Sequence, residues 1–288
     1  MTFVTDHAFH IGFQHRSNGK PNQDYTLSGT LNNYTNYTIV SDGCSSGGMT
    51  DIGSRLIVLA TKRALEELST SDSLVDEAFI TQVNQLRNNY LELYRVQLGL
   101  THPDLLATCL YAINQDESIF INVIGDGVVA IQYENCLVIH QFDWNMNTPY
   151  YPAYRQGNLE DSFKSAHKSV ELPFTISTQT ISSNEGEKET KQTAIGYTVE
   201  VGMKGWICNP TDPDLETKNG RLISVALFSD GVEQVDGMQC VDVVRQLLAY
   251  KSINGQFAVR RMNRFLTENS KVGRGPLDDI SCAVIHRN

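Results

Sequence analysis

The sequence lacks any apolar run close to the roughly 20 residues that a membrane-spanning helix needs. Its 288 residues carry a formal net charge of −10 without long blocks of either sign, which argues against a nucleic-acid or anionic-membrane binder. The first residues, Met1 to His7, have neither the basic nor the apolar region of a signal peptide. We therefore expect a cytoplasmic protein without nucleic-acid or membrane partners.

The cysteines are scattered and form no C-x-x-C pair, so neither a zinc site nor a thioredoxin-like motif is indicated. Cys44 lies in a small-residue turn, but no histidine is close to it in sequence and no C-x₅-R loop follows. A cysteine nucleophile is therefore disfavoured. With 41% hydrophobic residues, the chain has ample material for a packed core.

Three Asp-Gly pairs each end an apolar, β-rich run, at Asp42, Asp126 and Asp230. Glycine lets a buried strand turn at once, which leaves each carboxylate on the rim of a sheet. One such pair is ordinary turn chemistry, but converging carboxylates repel one another unless a cation holds them. Because oxygen ligands select hard ions such as Mg²⁺ or Mn²⁺, the three copies predict a divalent metal site.

Helical spacing of apolar residues extends from Asp51 to Leu68 and from Val75 to Leu98, and again from Met238 to Tyr250 and from Gln256 to Asn269. Short β-rich runs, the first from Phe9 to Phe13, precede, separate and follow these helix pairs. Strands segregated from helices indicate an α+β fold. We expect a four-layer αββα sandwich, in which two antiparallel sheets are flanked by helix pairs.

The stretch from about 142 to 220 is irregular and contains several prolines and a polar run. Long connections of this kind are often functional loops. We expect a single domain over residues 1–288, with a flap-like segment at about 142–220.

Five short acidic motifs occur in order, each beside a strand end. They are Asn22-Gln23-Asp24, Val40-Ser41-Asp42-Gly43, Ile124-Gly125-Asp126, Phe228-Ser229-Asp230-Gly231 and Asp278-Asp279-Ile280. The ordered set resembles the PPM-type, metal-dependent serine/threonine protein phosphatases of type 2C, from roughly Gly12 to Ile285. The resemblance implies an αββα sandwich with a metal centre at one end of the central sheets.

The resemblance also implies metal ligands at Asp24, Asp42, Gly43, Asp126, Asp230 and Asp278. Asp42 would bridge two ions, and the carbonyl of Gly43 would complete the shell of the second. Asp230 and Asp278 would hold the first ion.

Asp24 would lie near the second ion, directly or through water, and Asp126 would form a third, weaker site with Asp230. The implied cofactors are two Mg²⁺ or Mn²⁺ ions and a possible third. The catalytic carboxylates Asp42, Asp230 and Asp278 would act through the ions, which activate a water that attacks phosphorus without a covalent phosphoenzyme.

The sequence departs from the family pattern at two positions. Gln23 stands where the family usually has Glu, and Cys44 stands where many members have a histidine proposed as general acid. The family's phosphate-binding arginine precedes the first motif, and Arg16 and Lys20 are the local candidates for that role. His15, a lone loop histidine, is expected to be exposed.

The leading hypothesis is a phosphatase that hydrolyses phosphoserine and phosphothreonine in protein substrates, as a monomer. Asp279 is expected to orient its neighbour rather than to bind metal. One alternative, motivated by Gln23 and Cys44, is a catalytically weak phosphatase-like module that binds a partner or phosphopeptide. Another is a metallohydrolase that uses the same centre on a small phosphoester.

Overall fold

The computed structural model describes residues 2–32, 35–69, 75–157, 159–167, 174–182, 188–195 and 205–288. The strands are β1 (Phe3–His10), β2 (Tyr25–Asn32), β3 (Thr35–Ser41), β4 (Cys109–Gln115), β5 (Ser118–Ile124), β6 (Gly127–Tyr133), β7 (Cys136–Trp144), β8 (Phe174–Ser182), β9 (Lys188–Ile195), β10 (Trp206–Cys208), β11 (Leu222–Phe228) and β12 (Ile280–Arg287). The helices are α1 (Phe13–Ser17), α2 (Thr50–Leu68), α3 (Glu77–Leu98), α4 (Leu159–His167), α5 (Pro213–Asn219), α6 (Cys240–Leu248) and α7 (Phe257–Ser270).

Two antiparallel sheets form the centre of the described residues. The larger sheet has the order β1-β12-β11-β6-β7-β8-β9, and the smaller has the order β10-β5-β4-β3-β2. Successive side chains of a strand point to opposite faces. In β11, Val225 and Leu227 accordingly pack between the two sheets, whereas Ala226 and Phe228 face the outer helices.

Helices cover the outer face of each sheet. Val244 of α6 and Phe265 of α7 pack on the larger sheet, and Ile57 of α2 and Ile80 of α3 pack on the smaller one. The α+β, four-layer αββα sandwich predicted from the order of the elements is therefore confirmed. None of the described helices is long and apolar enough to cross a membrane.

Strand register brings the acidic strand ends to one place. Tyr25 of β2 pairs with Ser41 of β3, so the residues next to them along the chain, Asp24 and Asp42, flank the same end of the smaller sheet. In the larger sheet, Phe228 at the end of β11 pairs with Val128 on one side and with Cys282 on the other. The turn before β6 and the start of β12 thus lie beside the end of β11.

The predicted strand from Phe9 to Phe13 is wrong at its second half. Pairing of β1 with β12 ends at His10 and Ile280, and α1 begins at Phe13. The backbone N–H of Phe13 donates to the carbonyl of Pro276 at 3.1 Å. This contact directs the chain away from the ladder and into a helical turn.

The segment from 142 to 220 contributes to both sheets. Strands β8 and β9 extend the larger sheet and β10 edges the smaller one, while residues 158, 168–173, 183–187 and 196–204 lie outside the described part. Aromatic side chains fix its first part in the core, since Trp144 lies 4.8 Å from Phe174 and Tyr150 lies 5.3 Å from Phe163 between ring centroids. A flap-like role for this segment stays a prediction.

Candidate metal centre

Asp42 is the central member of the acidic group. Burial raises the pKa of Asp42 well above its ordinary value, and the negative charges of the nearby Asp24 and Asp230 raise it further. Carboxyl groups this near to one another cannot all ionise cheaply without a cation, because like charges at short range oppose one another.

Asp24 is fully buried, with 0% of its surface exposed. Its Oδ2 accepts a hydrogen bond from Ser229 Oγ at 2.6 Å, whereas its Oδ1 has no donor among the described residues. Burial is the main cause that raises the pKa of Asp24 to about 7. A buried carboxylate oxygen without a donor normally carries a penalty, and a bound cation would remove it.

Asp126 and Asp278 complete the group beside Asp230. Burial raises the pKa of Asp126 well above its usual range, with the charge of Asp230 as the next cause. Burial likewise raises the pKa of Asp230, and the charge of Asp278 adds to the effect. Gln234 Nε2 donates to Asp230 Oδ2 at 3.0 Å. Carboxylate oxygens suit a hard divalent cation, but among the described residues the set of three acidic or histidine ligand atoms that lie within 4.8 Å of one another is that of His15, Asp278 and Asp279.

Gly43 follows Asp42 where the chain passes close to the start of α2. A Cβ at this position would lie 2.6 Å from the backbone oxygen of Thr50. The Gly43 N–H donates to the carbonyl of Gln23 at 3.2 Å. Only glycine fits this approach, which joins the loop before β2 to the loop after β3.

A second buried group, the His15–Asp279 clip, lies beside the first. His15 Nδ1 is 2.8 Å from Asp279 Oδ2, and Asp279 also accepts from the backbone N–H of Gly12 at 2.7 Å and of Gln23 at 2.6 Å. The Asp279 N–H donates to Asp278 Oδ1 at 2.8 Å. The clip thereby fixes the loop that carries Asp24 against the turn that carries Asp278.

His15 is therefore not the exposed loop residue that the sequence predicts, since only 7% of its surface is accessible. Its partner comes from the other end of the chain, which local sequence does not reveal. His15, Asp278 and Asp279 present ligand atoms within 4.8 Å of one another and could themselves hold an ion. Both oxygens of Asp279 already accept backbone N–H groups, from Gly12 and Gln23, so we assign Asp279 the orienting role expected from the sequence.

The two residues predicted to bind phosphate, Arg16 and Lys20, have different surroundings. Arg16 is exposed and lines a groove with Arg274 and Leu277, and none of the five strand-end carboxylates lines that groove. Lys20 is exposed and its side chain forms no ion pair within the described ranges. Contact of either cation with substrate phosphate stays a prediction.

Gln23 and Cys44 are linked through one hydroxyl. Gln23 Nε2 donates to Thr50 Oγ1 at 2.7 Å, and Thr50 Oγ1 donates to the Cys44 carbonyl at 3.0 Å. Gln23 Oε1 is buried and has no donor among the described residues. The amide thus ties α2 to the loop before β2, a role that a carboxylate at this position could not fill.

Glu233 is an acidic neighbour that the motifs did not identify. Burial raises its pKa to about 7, while a hydrogen bond from Gln141 opposes the shift and the charges of Asp143 and Asp230 add to it. Gln141 Nε2 donates to Glu233 Oε1 at 2.8 Å. Glu233 comes three residues after Asp230, in the turn that follows β11, and this position is the sequence feature from which it could have been predicted.

Comparison with known proteins gives a consistent result. The model of the family described as Protein phosphatase 2C matches residues 11–270. The serine/threonine phosphatase Stp1 from Staphylococcus aureus is similar over 100% of this chain and 96% of its own, with 12% identity and a TM-score of 0.53. The S. agalactiae serine/threonine phosphatase is similar over 100% of both chains, with 17% identity and a TM-score of 0.55. Because the identities are only 12% and 17%, these structural likenesses concern the fold. No curated protein is significantly similar in sequence.

Proposed function

The chain belongs to the protein phosphatase 2C family, as its ordered acidic motifs predicted, and on this premise we propose that it hydrolyses phosphoserine and phosphothreonine in protein substrates. The observation that carries the proposal is the crowding of negative charge at Asp42, whose pKa is raised by burial and by the charges of Asp24 and Asp230. Such a group is costly without a cation, and its oxygen donors suit Mg²⁺ or Mn²⁺. We place a single catalytic domain over the described chain, acting as a cytoplasmic monomer.

The residues that would hold the ions are Asp24, Asp42, Gly43, Asp126, Asp230 and Asp278. Bound Mg²⁺ or Mn²⁺ would supply Lewis acidity, which lowers the pKa of water and neutralises charge on the phosphoryl group. Asp42 would lie between the ions, since it lies near both Asp24 and Asp230. Gln234 orients the Asp230 carboxylate, and the His15–Asp279 clip positions Asp278.

The test is hydrolysis of a phosphothreonine peptide by the purified protein with Mn²⁺ and with excess chelator. We expect hydrolysis only with metal, and its loss in Asp230→Asn. Asp116→Asn is the matched control, since Asp116 is exposed, has a φ of 52° that asparagine tolerates, and follows the opposite end of β4 from the acidic group. Full hydrolysis in chelator would reject the proposal.

A binding module is the second candidate, and one observation favours it. The side-chain amide of Gln23 donates a hydrogen bond to Thr50 and adds no negative charge to the acidic group. If Mn²⁺ binds and no phosphopeptide is hydrolysed, this second function replaces the first.

A further inference from the structure

Three cavities follow one another around α6. The first, of about 580 Å³, lies between α6 and strands β6 to β8 and includes Asp242 and Arg245. Both residues also line the second, of about 520 Å³. Arg274 joins the second cavity to the third, of about 300 Å³, which contains Arg16 and Leu277. The cavities are neighbours that share lining residues, and together they are here called the arginine groove.

The described residues that line the groove carry more positive than negative charge. Its four arginines form no ion pair with a carboxylate within the described ranges, whereas four other arginines of the chain do. The arginines of the groove are Arg16, Arg245, Arg261 and Arg274, and the paired ones are Arg55, Arg95, Arg221 and Arg264. Only two acids, Asp236 and Asp242, line the same cavities.

Two features of the backbone accommodate the side chains of Arg261 and Arg274. Arg261 Nε donates to the carbonyl of Gln246, which fixes the side chain along α6. The Arg274 Nε lies 3.3 Å from the position that a Cβ on Gly237 would occupy, so glycine leaves room for the guanidinium. Nearby Glu268 accepts from Arg264 Nε at 2.7 Å and is already paired.

One end of the groove lies beside the candidate metal centre. Its third cavity is lined by Pro276 and Leu277, which directly precede Asp278. It is also lined by Arg16, the residue after His15 of the clip. The groove therefore ends at residues that are next, along the chain, to the clip and to Asp278.

We propose that the arginine groove binds an acidic segment of the substrate protein next to its phosphorylated residue. The proposal rests on the proposed function and names its substrate class. Guanidinium groups bind carboxylates through paired hydrogen bonds. A net charge of −10 disfavours long polyanions such as nucleic acid, but screening over about 10 Å lets a short acidic peptide sense the local field.

The first experiment measures binding of a fluorescent, unphosphorylated peptide with a run of glutamates, in chelator. A peptide with glutamines in their place is the matched ligand. We expect the glutamate peptide to bind more tightly, and Arg274→Gln to weaken it by about fivefold. Arg264→Gln, on α7 but paired with Glu268 outside the cavities, is the control and should bind as the wild type does.

The second experiment uses phosphothreonine peptides with the same two flanks. Arg274→Gln should raise KM for the glutamate-flanked peptide without changing kcat, and should leave the glutamine-flanked peptide unaffected. Equal binding of the two unphosphorylated peptides, equal loss in Arg264→Gln, or equally tight binding of an oligonucleotide would overturn the proposal. Retained binding of the glutamate peptide without metal-dependent hydrolysis would reject the phosphatase function but would still support peptide binding by the arginine groove.

Discussion

Replacement of Asp279 by asparagine tests the His15–Asp279 clip. The carboxylate is 2% exposed, accepts from Gly12 N–H and Gln23 N–H at 2.7 and 2.6 Å, and lies 2.8 Å from His15 Nδ1. Asparagine has a single oxygen, so in either orientation its amide group faces a donor. Loss of one charge-assisted hydrogen bond is worth about 1.5–3 kcal/mol.

That change in the free energy of unfolding corresponds to a fall in Tm of about 2–5 °C for a chain of this size. Thermal unfolding in chelator measures it without any contribution from bound metal. Asp116→Asn, which removes an exposed carboxylate, should leave Tm unchanged. The reasoning is refuted if Asp279→Asn and Asp116→Asn unfold at the same temperature.

The histidine of the clip gives a matched pair of variants. His15→Ala removes the imidazole nitrogen that lies 2.8 Å from Asp279 Oδ2, whereas His15→Asn places a side-chain N–H where the imidazole Nδ1 stood. Because the Asp279 N–H donates to Asp278 Oδ1 at 2.8 Å, we expect His15→Ala to weaken Mn²⁺ binding and His15→Asn to restore much of it. Equal affinities of all three proteins in calorimetric titration would exclude a positioning role.

Three further predictions concern the acidic group and its supports. Because the pKa of Asp24 is raised to about 7, between about pH 4 and about pH 7 the folded metal-free protein holds a proton that the unfolded chain has released, so its Tm should fall as pH rises through that range. Asp24→Asn should show a smaller fall, and an equal fall would contradict the assignment. Gln23→Glu places an acceptor against Thr50 Oγ1, which already donates to the Cys44 carbonyl. Its Tm in chelator should therefore be lower than that of the wild type, and Mn²⁺ should restore it. A higher Tm in chelator would contradict this reasoning. Gly43→Ala puts a methyl group 2.6 Å from the backbone oxygen of Thr50 and should lower the free energy of unfolding in urea by about 1–3 kcal/mol. Gly275→Ala, with nothing within 4 Å of the added methyl group, should leave it unchanged. Equal stability of the two variants would refute the steric argument.

The strand-end acids could be predicted from the sequence because the signal is local. An apolar run that stops at Asp-Gly places the carboxylate on the rim of a sheet, as at Asp42 and Asp230. The order of strands and helix pairs then left one layered arrangement that buries every apolar stripe. Both inferences needed only neighbouring residues.

The clip could not be predicted, because its members are distant in sequence. Gln23 and Gly12 donate to a carboxylate that lies 256 and 267 residues away. The helix at Phe13 depends on contacts with Pro276 and Leu277, which override the β-like sequence around it. The burial of His15 follows from the same long-range packing.

Strands β8 and β9 show a different limit. Most described side chains of β8 are partly exposed, so its polar sequence carries little strand signal. Pairing with β7 over Cys136–Trp144 fixes the bounds of β8 at Phe174–Ser182, which the sequence does not indicate. The irregular character predicted for this part of the chain therefore describes its composition better than its structure.

The measurement that tests the central claim most directly is calorimetric titration of the metal-free protein with Mn²⁺. We predict a saturable heat for the wild type and for Asp116→Asn, and an affinity at least about tenfold lower for Asp42→Asn, since Asp42 lies near both Asp24 and Asp230. No heat up to millimolar Mn²⁺, or an unchanged affinity in Asp42→Asn, would contradict a divalent metal centre built on this residue.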